Sequence, residues 1–316
     1  MKTRRGNAYP VAGAQLTSSR KKSKPSNALC DNFDRLPDDI VLVILANLSS
    51  SAERPSDFIS SLLINRRFYG LGLDQKVLSK ASAETFAIKP HKWSLNANWF
   101  LKRCSDAGNA DASYTLGMIQ FYCFQNRRNG AALMAKAAIA SHAPALYSLA
   151  IIQFNGSGGT KNVKDLIGGV TLCARAAFLG HIDALRELGY CLKDGYGISK
   201  NVTEGQRFLL QANARELNAM YDPRASVAGR VGHPANRFLA SWFVNRVPDP
   251  ALRICCYAGC GRPETRMHEF RRCSVCGVMN YCSRGCQARD WTMGHFKSCR
   301  PLVFMNVVDH PHAWLV

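Results

Sequence analysis

Between Cys255 and Cys299 the chain places eight of its thirteen cysteines, in the segments CCYAGC, CSVC and YCSRGC and in a closing HFKSC. The pairs Cys255/Cys260, Cys273/Cys276, Cys282/Cys286 and His295/Cys299 each set two donors on one tight turn. Tetrahedral Zn²⁺ takes four such soft or borderline ligands, so four pairs supply two closed structural sites with no position left for water. The doublet at Cys255 and Cys256 leaves either residue open as the first ligand. Disulfides fit poorly, because no secretory signal is read ahead of the cluster and the cysteines are concentrated in one segment. A redox motif at Cys273 and Cys276 would open a helix in a βαβ unit, whereas here Arg271 and Arg272 lead into further cysteine pairs.

The order of the pairs, together with YCS-x2-CQ-x2-DW-x3-H-x3-C from Tyr281 to Cys299, resembles the MYND zinc finger. A RING finger is the nearest alternative, but its histidine sits in mid-series, and here the histidine is seventh. In the MYND family the pairs interleave. The resemblance therefore implies one site from Cys255, Cys260, Cys282 and Cys286, and a second from Cys273, Cys276, His295 and Cys299. It favours Cys255 over Cys256, which becomes a spare thiol. It also implies a groove for a proline-containing peptide, lined by Ser274, Gln287 and Trp291; the plain alternative for Trp291 is a small-core aromatic.

The formal charge of +19 points to acidic partners, a nuclear location or nucleic acid. Seven thiolates and two Zn²⁺ would lower it only to about +16. Residues 1–30 hold Lys2, Arg4, Arg5, Arg20, Lys21, Lys22 and Lys24 without an acid, among Ser, Gly, Pro and Asn, and read as a disordered tail. Arg20, Lys21, Lys22 and Lys24 pass as an import signal, or as a merely solvated charge run. Tyr9 is the one aromatic there, too few for base stacking, so nucleic acid is disfavoured. No apolar run approaches the roughly 18 residues of a membrane span.

Residues 31–82 begin with FDRLPDDIVLVILANL. Asp34 can cap, Pro37 suits a first turn, and Asp38 and Asp39 oppose the positive end of a helix dipole. A loop from Ser49 to Ser56 and a second helix from about Asp57 to Phe68 complete a helical hairpin. Leu36-Pro37-Asp38-Asp39, IVLVILANL and ISSLLINRRFYGL resemble an F-box, with Phe68 where the motif usually has Trp. That resemblance implies docking on the Skp-type adaptor of an SCF ubiquitin ligase through Leu36, Pro37, Ile40, Val41, Ile44 and Leu45.

Residues 94–218 repeat themselves. GNADASYTLG (108–117), SHAPALYSLA (141–150) and GHIDALRELG (180–189) align with spacings of 33 and 39 residues, superposing Ala112, Ala145 and Ala184. Each block follows a helical stretch: FLKRCSDA, LMAKAAIA and LCARAAFL. Two helices per unit at such periods predict a solenoid, since one hairpin cannot bury its face alone. Gly117 and Gly189 allow close helix approach. The pattern resembles Sel-type repeats, relatives of the tetratricopeptide repeat, whose concave face is expected to bind protein. Cys104, Cys123, Cys173 and Cys191 read as buried fillers, and His142 and His181, at equivalent repeat positions, as structural.

Residues 219–252 read as a linker with one helix, HPANRFLASWFVNR, whose Phe238, Leu239, Trp242 and Phe243 are expected to pack on the last repeat or on the finger of residues 253–300. Residues 301–316 form an apolar tail containing His310 and His312.

The expected fold is mainly α: an F-box hairpin, a Sel-type solenoid and a two-zinc finger. This order resembles a group of plant F-box proteins. It implies the substrate receptor of an SCF-type E3 ligase, placed in the nucleus and/or cytoplasm, with the adaptor, a cullin and a protein substrate as partners. No catalytic constellation is read in the chain. MYND fingers also occur in SET-domain methyltransferases, but no strand-rich cofactor domain is seen. A nuclear corepressor-type scaffold without ubiquitin is the second alternative.

Overall fold

A computed structural model of the chain describes residues 32–221, 232–244, 246 and 249–301. The basic tail with its import-like cluster, the segment 222–231, and the apolar tail with His310 and His312 lie outside the described residues. The chain divides into one unit up to Pro37 and a second from Asp38 onward. In the first, a 3-10 turn spans Asn32–Arg35.

The segment that resembles an F-box opens with α1 (Asp38–Ser51), whose first turn holds Asp38 and Asp39. The helix runs three residues further than its serines imply. The hydroxyls of Ser49, Ser50 and Ser51 bond back to the carbonyls of Ala46 and Asn47, satisfying themselves without breaking the ladder. The expected second helix is in fact two, α2 (Pro55–Leu62) and α3 (Arg66–Gly72). Asn65 adopts an extended backbone and accepts the Phe68 amide at 2.8 Å, so it starts a new helix instead of continuing the old one. With α4 (Gln75–Leu78), these helices bury Val41, Leu45, Phe58, Phe68 and Val77.

Three antiparallel hairpins follow: α5 (Leu95–Asp106) with α6 (Ala110–Met118), α7 (Arg127–Ile139) with α8 (Ala143–Asn155), and α9 (Leu166–Phe178) with α10 (Ile182–Asp194). The long α11 (Val202–Tyr221) packs along α10. Phe58 and Phe86 both meet Phe100 of α5, so the helices before residue 82 and the solenoid share one apolar core. Ala112, Ala145 and Ala184 are fully buried. A Cβ on Gly189 would stand 2.9 Å from the Gly205 carbonyl, and one on Gly205 2.7 Å from that of Gly189, so α10 and α11 touch backbone to backbone. Cys104, Cys173 and Cys191 are buried fillers, and burial pushes the thiols of Cys104 and Cys191 up to about 12.

The same cap recurs in every hairpin. Asn109, His142 and His181 stand at one repeat position, and each side chain accepts the amide three residues on, that of Ala112, Ala145 or Ala184. An imidazole can do this only through an unprotonated Nδ1, which places its proton on Nε2. His142 Nε2 then faces Asp111 at 3.1 Å, as does His233 Nε2 at 3.3 Å. Burial opposes the Asp111 charge, but these two hydrogen bonds prevail and hold its carboxyl below the usual range. The pattern explains why Asp111, His142 and His233, although within metal-ligand distance of one another, form a satisfied hydrogen-bond network.

His233 caps α12 (Pro234–Trp242), the helix foreseen in the linker. It packs on the first repeat rather than the last. Phe238 meets Trp93, Trp242 meets Phe124, and Arg237 pairs with Glu84 at 2.5 Å. The fixed points are aromatic: the rings of Trp93 and Phe124, at the start of the solenoid, receive Phe238 and Trp242. The finger side of the expectation matches the structure, for Gly261 lies against the α12 backbone at Ala240.

Burial holds His181 neutral and brings its pKa down to about 4, against an ordinary 6.5. Its folded-state value is depressed, so the unfolded chain binds the extra proton first as pH falls below about 6.5, and stability is lost down to about 4. His181→Asn keeps the cap, as Asn109 does in the first repeat. Chemical denaturation at about pH 7 and about pH 5 is expected to show the variant losing about 2 kcal/mol less than the parent between them.

Candidate metal centre and the surfaces around it

Short backbone devices aim the ligands. Ile254 bridges Pro263, and Cys255 donates its amide to Arg262, so the first knuckle is a closed loop. Strand β1 (Arg271–Arg272) pairs antiparallel with β2 (Asn280–Tyr281), which sends Cys273 and Cys282 to opposite ends of the ladder, one into each cluster. Gly261 and Gly277, directly after Cys260 and Cys276, have φ of 69° and 64°, the left-handed turn that folds each cysteine pair inward. Ser283 caps α13 (Arg284–Asp290) by accepting the Cys286 amide at 3.0 Å. A π-helical turn, Trp291–His295, then presents His295, and the Cys299 amide donates to its carbonyl.

The outcome is two buried four-donor clusters, Cys255/Cys260/Cys282/Cys286 and Cys273/Cys276/His295/Cys299, the interleaved sets that the resemblance implies. Zn–S bonds of about 2.3 Å in a tetrahedron place sulfurs about 3.8 Å apart. Here Cys260 and Cys282 are 3.5 Å apart, Cys282 and Cys286 3.6 Å, Cys273 and Cys299 3.8 Å, and Cys276 Sγ lies 3.8 Å from His295 Nε2. A disulfide would need about 2.05 Å. Both clusters therefore fit a tetrahedral ion of the zinc kind, closed to solvent. Cys256 lies outside them, accepting the Asn280 amide and donating its own to the Asn280 carbonyl, so it sews the first knuckle to β2.

Sequence reasoning missed the surface on which this centre rests. Arg262 is buried between the finger and the solenoid, with Nη1 at 3.5 Å from Cys260 Sγ and 3.9 Å from Cys282 Sγ, and Nη2 donating to Ser148 Oγ at 2.7 Å. Burial opposes its charge, and the two sulfurs overcome that. Four thiolates around a divalent ion retain a net double negative charge, which a buried guanidinium partly offsets. Around it, Tyr147 shares a hydrogen bond with Ser283, Asn155 donates to the Cys282 carbonyl, and Glu187 of α10 accepts the Gly285 amide at 2.8 Å. Arg289 and Asp183 close the rim at 2.6 Å. The finger thus sits on α8 and α10, and the repeat face expected to bind a protein substrate is covered by this chain's own finger. One signal was present in the sequence. Thr115, Ser148 and Glu187 occupy one repeat position, all buried, so a polar column runs through an otherwise apolar face.

The other expected site residues are dispersed. Gln287 and Trp291 line one groove beside α10 and α11, with Trp291 43% exposed. Ser274 is exposed and lies outside that groove. In the N-terminal unit Leu36 is half-buried and Pro37 exposed. On α1, Ile40 and Ile44 are 45% and 38% exposed and Val43 joins them at 58%. Val41 and Leu45, expected on the docking face, are instead fully buried, because a helix that packs on α3 and α4 turns one face in four residues inward.

Comparisons with known proteins agree with these parts. The MYND finger family matches residues 255–299, and the plant tetratrico peptide repeat family matches residues 84–177. Two F-box proteins of Arabidopsis thaliana are similar along most of their length. One is 56% identical over 86% of this chain and 81% of its own, the other 54% identical over 90% and 89%. Among solved structures, a Sel1 repeat protein from Oxalobacter formigenes aligns with 43% of this chain and 98% of its own at 21% identity and a TM-score of 0.36. A protective antigen of uropathogenic Escherichia coli with an SLR fold aligns with 65% of this chain and 45% of its own at 12% identity and a TM-score of 0.43.

The two neighbouring thiols separate cleanly by experiment. Cys255→Ser is expected to lose one of two equivalents of bound metal, and Cys256→Ser to keep both, in elemental analysis of the purified chain. Equal metal content in the two variants would contradict the assignment of the first cluster.

Proposed function

This chain belongs to the F-box protein family of its Arabidopsis relatives, and on that premise we propose that it is the substrate receptor of an SCF-type E3 ubiquitin ligase. The observation that carries the reading is the row Ile40, Val43 and Ile44 on α1, apolar, exposed and spaced to share one helix face, while Val41 and Leu45 of the same helix hold the core. Exposed apolar patches of this kind mark protein contacts, and the F-box relatives point to a Skp-type adaptor as the partner, with a cullin beyond it. Ubiquitin transfer is assigned to the cullin-bound conjugating enzyme, and this chain contributes proximity. The metal is assigned as two structural Zn²⁺ ions, supported by the donor set and by sulfur spacing near a tetrahedral edge. Client recruitment falls to the finger, through a proline-containing peptide against Gln287 and Trp291. The cluster Arg20, Lys21, Lys22 and Lys24 supports residence in the nucleus as well as the cytoplasm.

The F-box assignment is tested on its exposed face. Ile40→Lys with Ile44→Lys is expected to weaken adaptor binding by roughly 30-fold, the ~2 kcal/mol of a lost interface anchor, and to leave thermal stability unchanged. Leu45→Ala, in contrast, is expected to cost ~2–5 kcal/mol of stability. Full adaptor binding and ligase activity in the Ile40/Ile44 variant would remove the F-box from the account and leave the scaffold reading in front.

A further inference from the structure

The groove holding Gln287 and Trp291 has two walls, and only one belongs to the finger. The other is the solenoid: Tyr190, Lys193 and Asp194 of α10, with Leu209 and Asn213 of α11. Together they enclose about 560 Å³, within the range of specific binding clefts. Trp291 offers a half-exposed indole on one side, held edge-on against His295 at 5.8 Å.

The charge along this groove is unbalanced. Arg186 is committed to Asp183 and Glu216. Arg284 pairs with Asp194 at 2.9 Å through Nη2, but its buried Nη1 has no hydrogen-bond partner. Lys193 and Arg271 form no ion pair among the described residues, and Asp194 is the single acid of the lining. A carboxylate entering the groove would meet donors from Lys193, Arg271 and Arg284 Nη1, while an apolar neighbour would rest on Trp291. A guanidinium and a carboxylate form the strong charge-assisted hydrogen bonds that fix register.

We propose that this composite groove, part finger and part repeat, selects an acidic extended peptide segment of the client, with Asp or Glu beside the apolar residue that packs on Trp291. The inference rests on the reading of the finger as the client-binding part. It adds a residue class to the peptide and a second wall to its site. Nucleic acid is the weaker fit, since Trp291 is the one exposed aromatic platform in the lining that could stack a base.

The test uses the full metal-loaded chain, a random-peptide display library, and fluorescence anisotropy of the peptides it enriches. The wild type is expected to enrich peptides rich in Asp and Glu, with affinity falling as salt rises. Lys193→Glu with Arg271→Glu is expected to weaken those peptides by roughly tenfold or more and to enrich basic peptides instead. The milder Lys193→Gln with Arg271→Gln is expected to lose the acidic preference while keeping both metal equivalents, which excludes unfolding as the cause. Enrichment without acidic excess, no enrichment, or acidic peptides indifferent to either double variant would overturn the proposal. So would tighter binding of a mixed-sequence single-stranded oligonucleotide. Adaptor binding through Ile40 and Ile44 is measured separately, so failure here leaves the F-box reading standing and failure there leaves this one.

Discussion

A buried guanidinium between a four-cysteine cluster and a helical repeat is the contact on which the arrangement depends. Arg262 lies within hydrogen-bonding reach of Cys260 Sγ and of Ser148, and it is almost wholly removed from water. Taking an isolated charge out of water costs several kcal/mol, and removing the partner of a buried pair costs ~3–5 kcal/mol. Arg262 is therefore stable there only while the sulfurs beside it are anionic. A bound divalent ion keeps thiolates deprotonated near neutral pH; protonated thiols would leave the arginine uncompensated. The electrostatics of the metal cluster and the seating of the finger on the solenoid are thus one problem with one solution.

That coupling changes how the parts relate to function. The α8 and α10 face, a natural binding surface in an open solenoid, is filled by Tyr147–Ser283, Glu187–Gly285 and Arg262–Ser148 contacts. The repeats act as a cradle that holds the finger in a fixed pose, and α12 wedges between the first repeat and the finger at Gly261. What remains open is the finger's far edge with Trp291, and, at the other end, the apolar row on α1. These two open surfaces lie on one continuous core, so their separation is set by packing and not by a linker.

Much of this was legible from residue order. Cysteine spacing marked the donor pairs but left Cys255 and Cys256 open, and the choice of Cys255 and the interleaved pairing came from the resemblance to the MYND finger; the repeat alignment at Ala112, Ala145 and Ala184 located each hairpin because these positions are buried and small. The histidines at 142 and 181 were readable as structural from their recurrence alone. What was not legible depends on long-range contact. Nothing local to Val41 or Leu45 says which side of α1 faces inward. Nothing in PANRFLASW says that its aromatics seek Trp93 and Phe124, more than a hundred residues away. Arg262 carries no motif, and only the polar column Thr115, Ser148 and Glu187 hinted that this face meets something polar. Two local readings failed: the single helix from Asp57 to Phe68 overlooked Asn65 as a cap, and the loop from Ser49 overlooked serines that bond back to their own helix.

The central claim is that metal in the finger holds the solenoid's α8 and α10 face closed. Amide hydrogen exchange measured by mass spectrometry, before and after a chelator strips the metal, tests it directly. The account predicts that stripping raises exchange in the finger and also in α8 and α10, around Tyr147, Ser148 and Glu187, while α1 keeps its protection. Exchange that rises in the finger and leaves α8 and α10 as they were would contradict it.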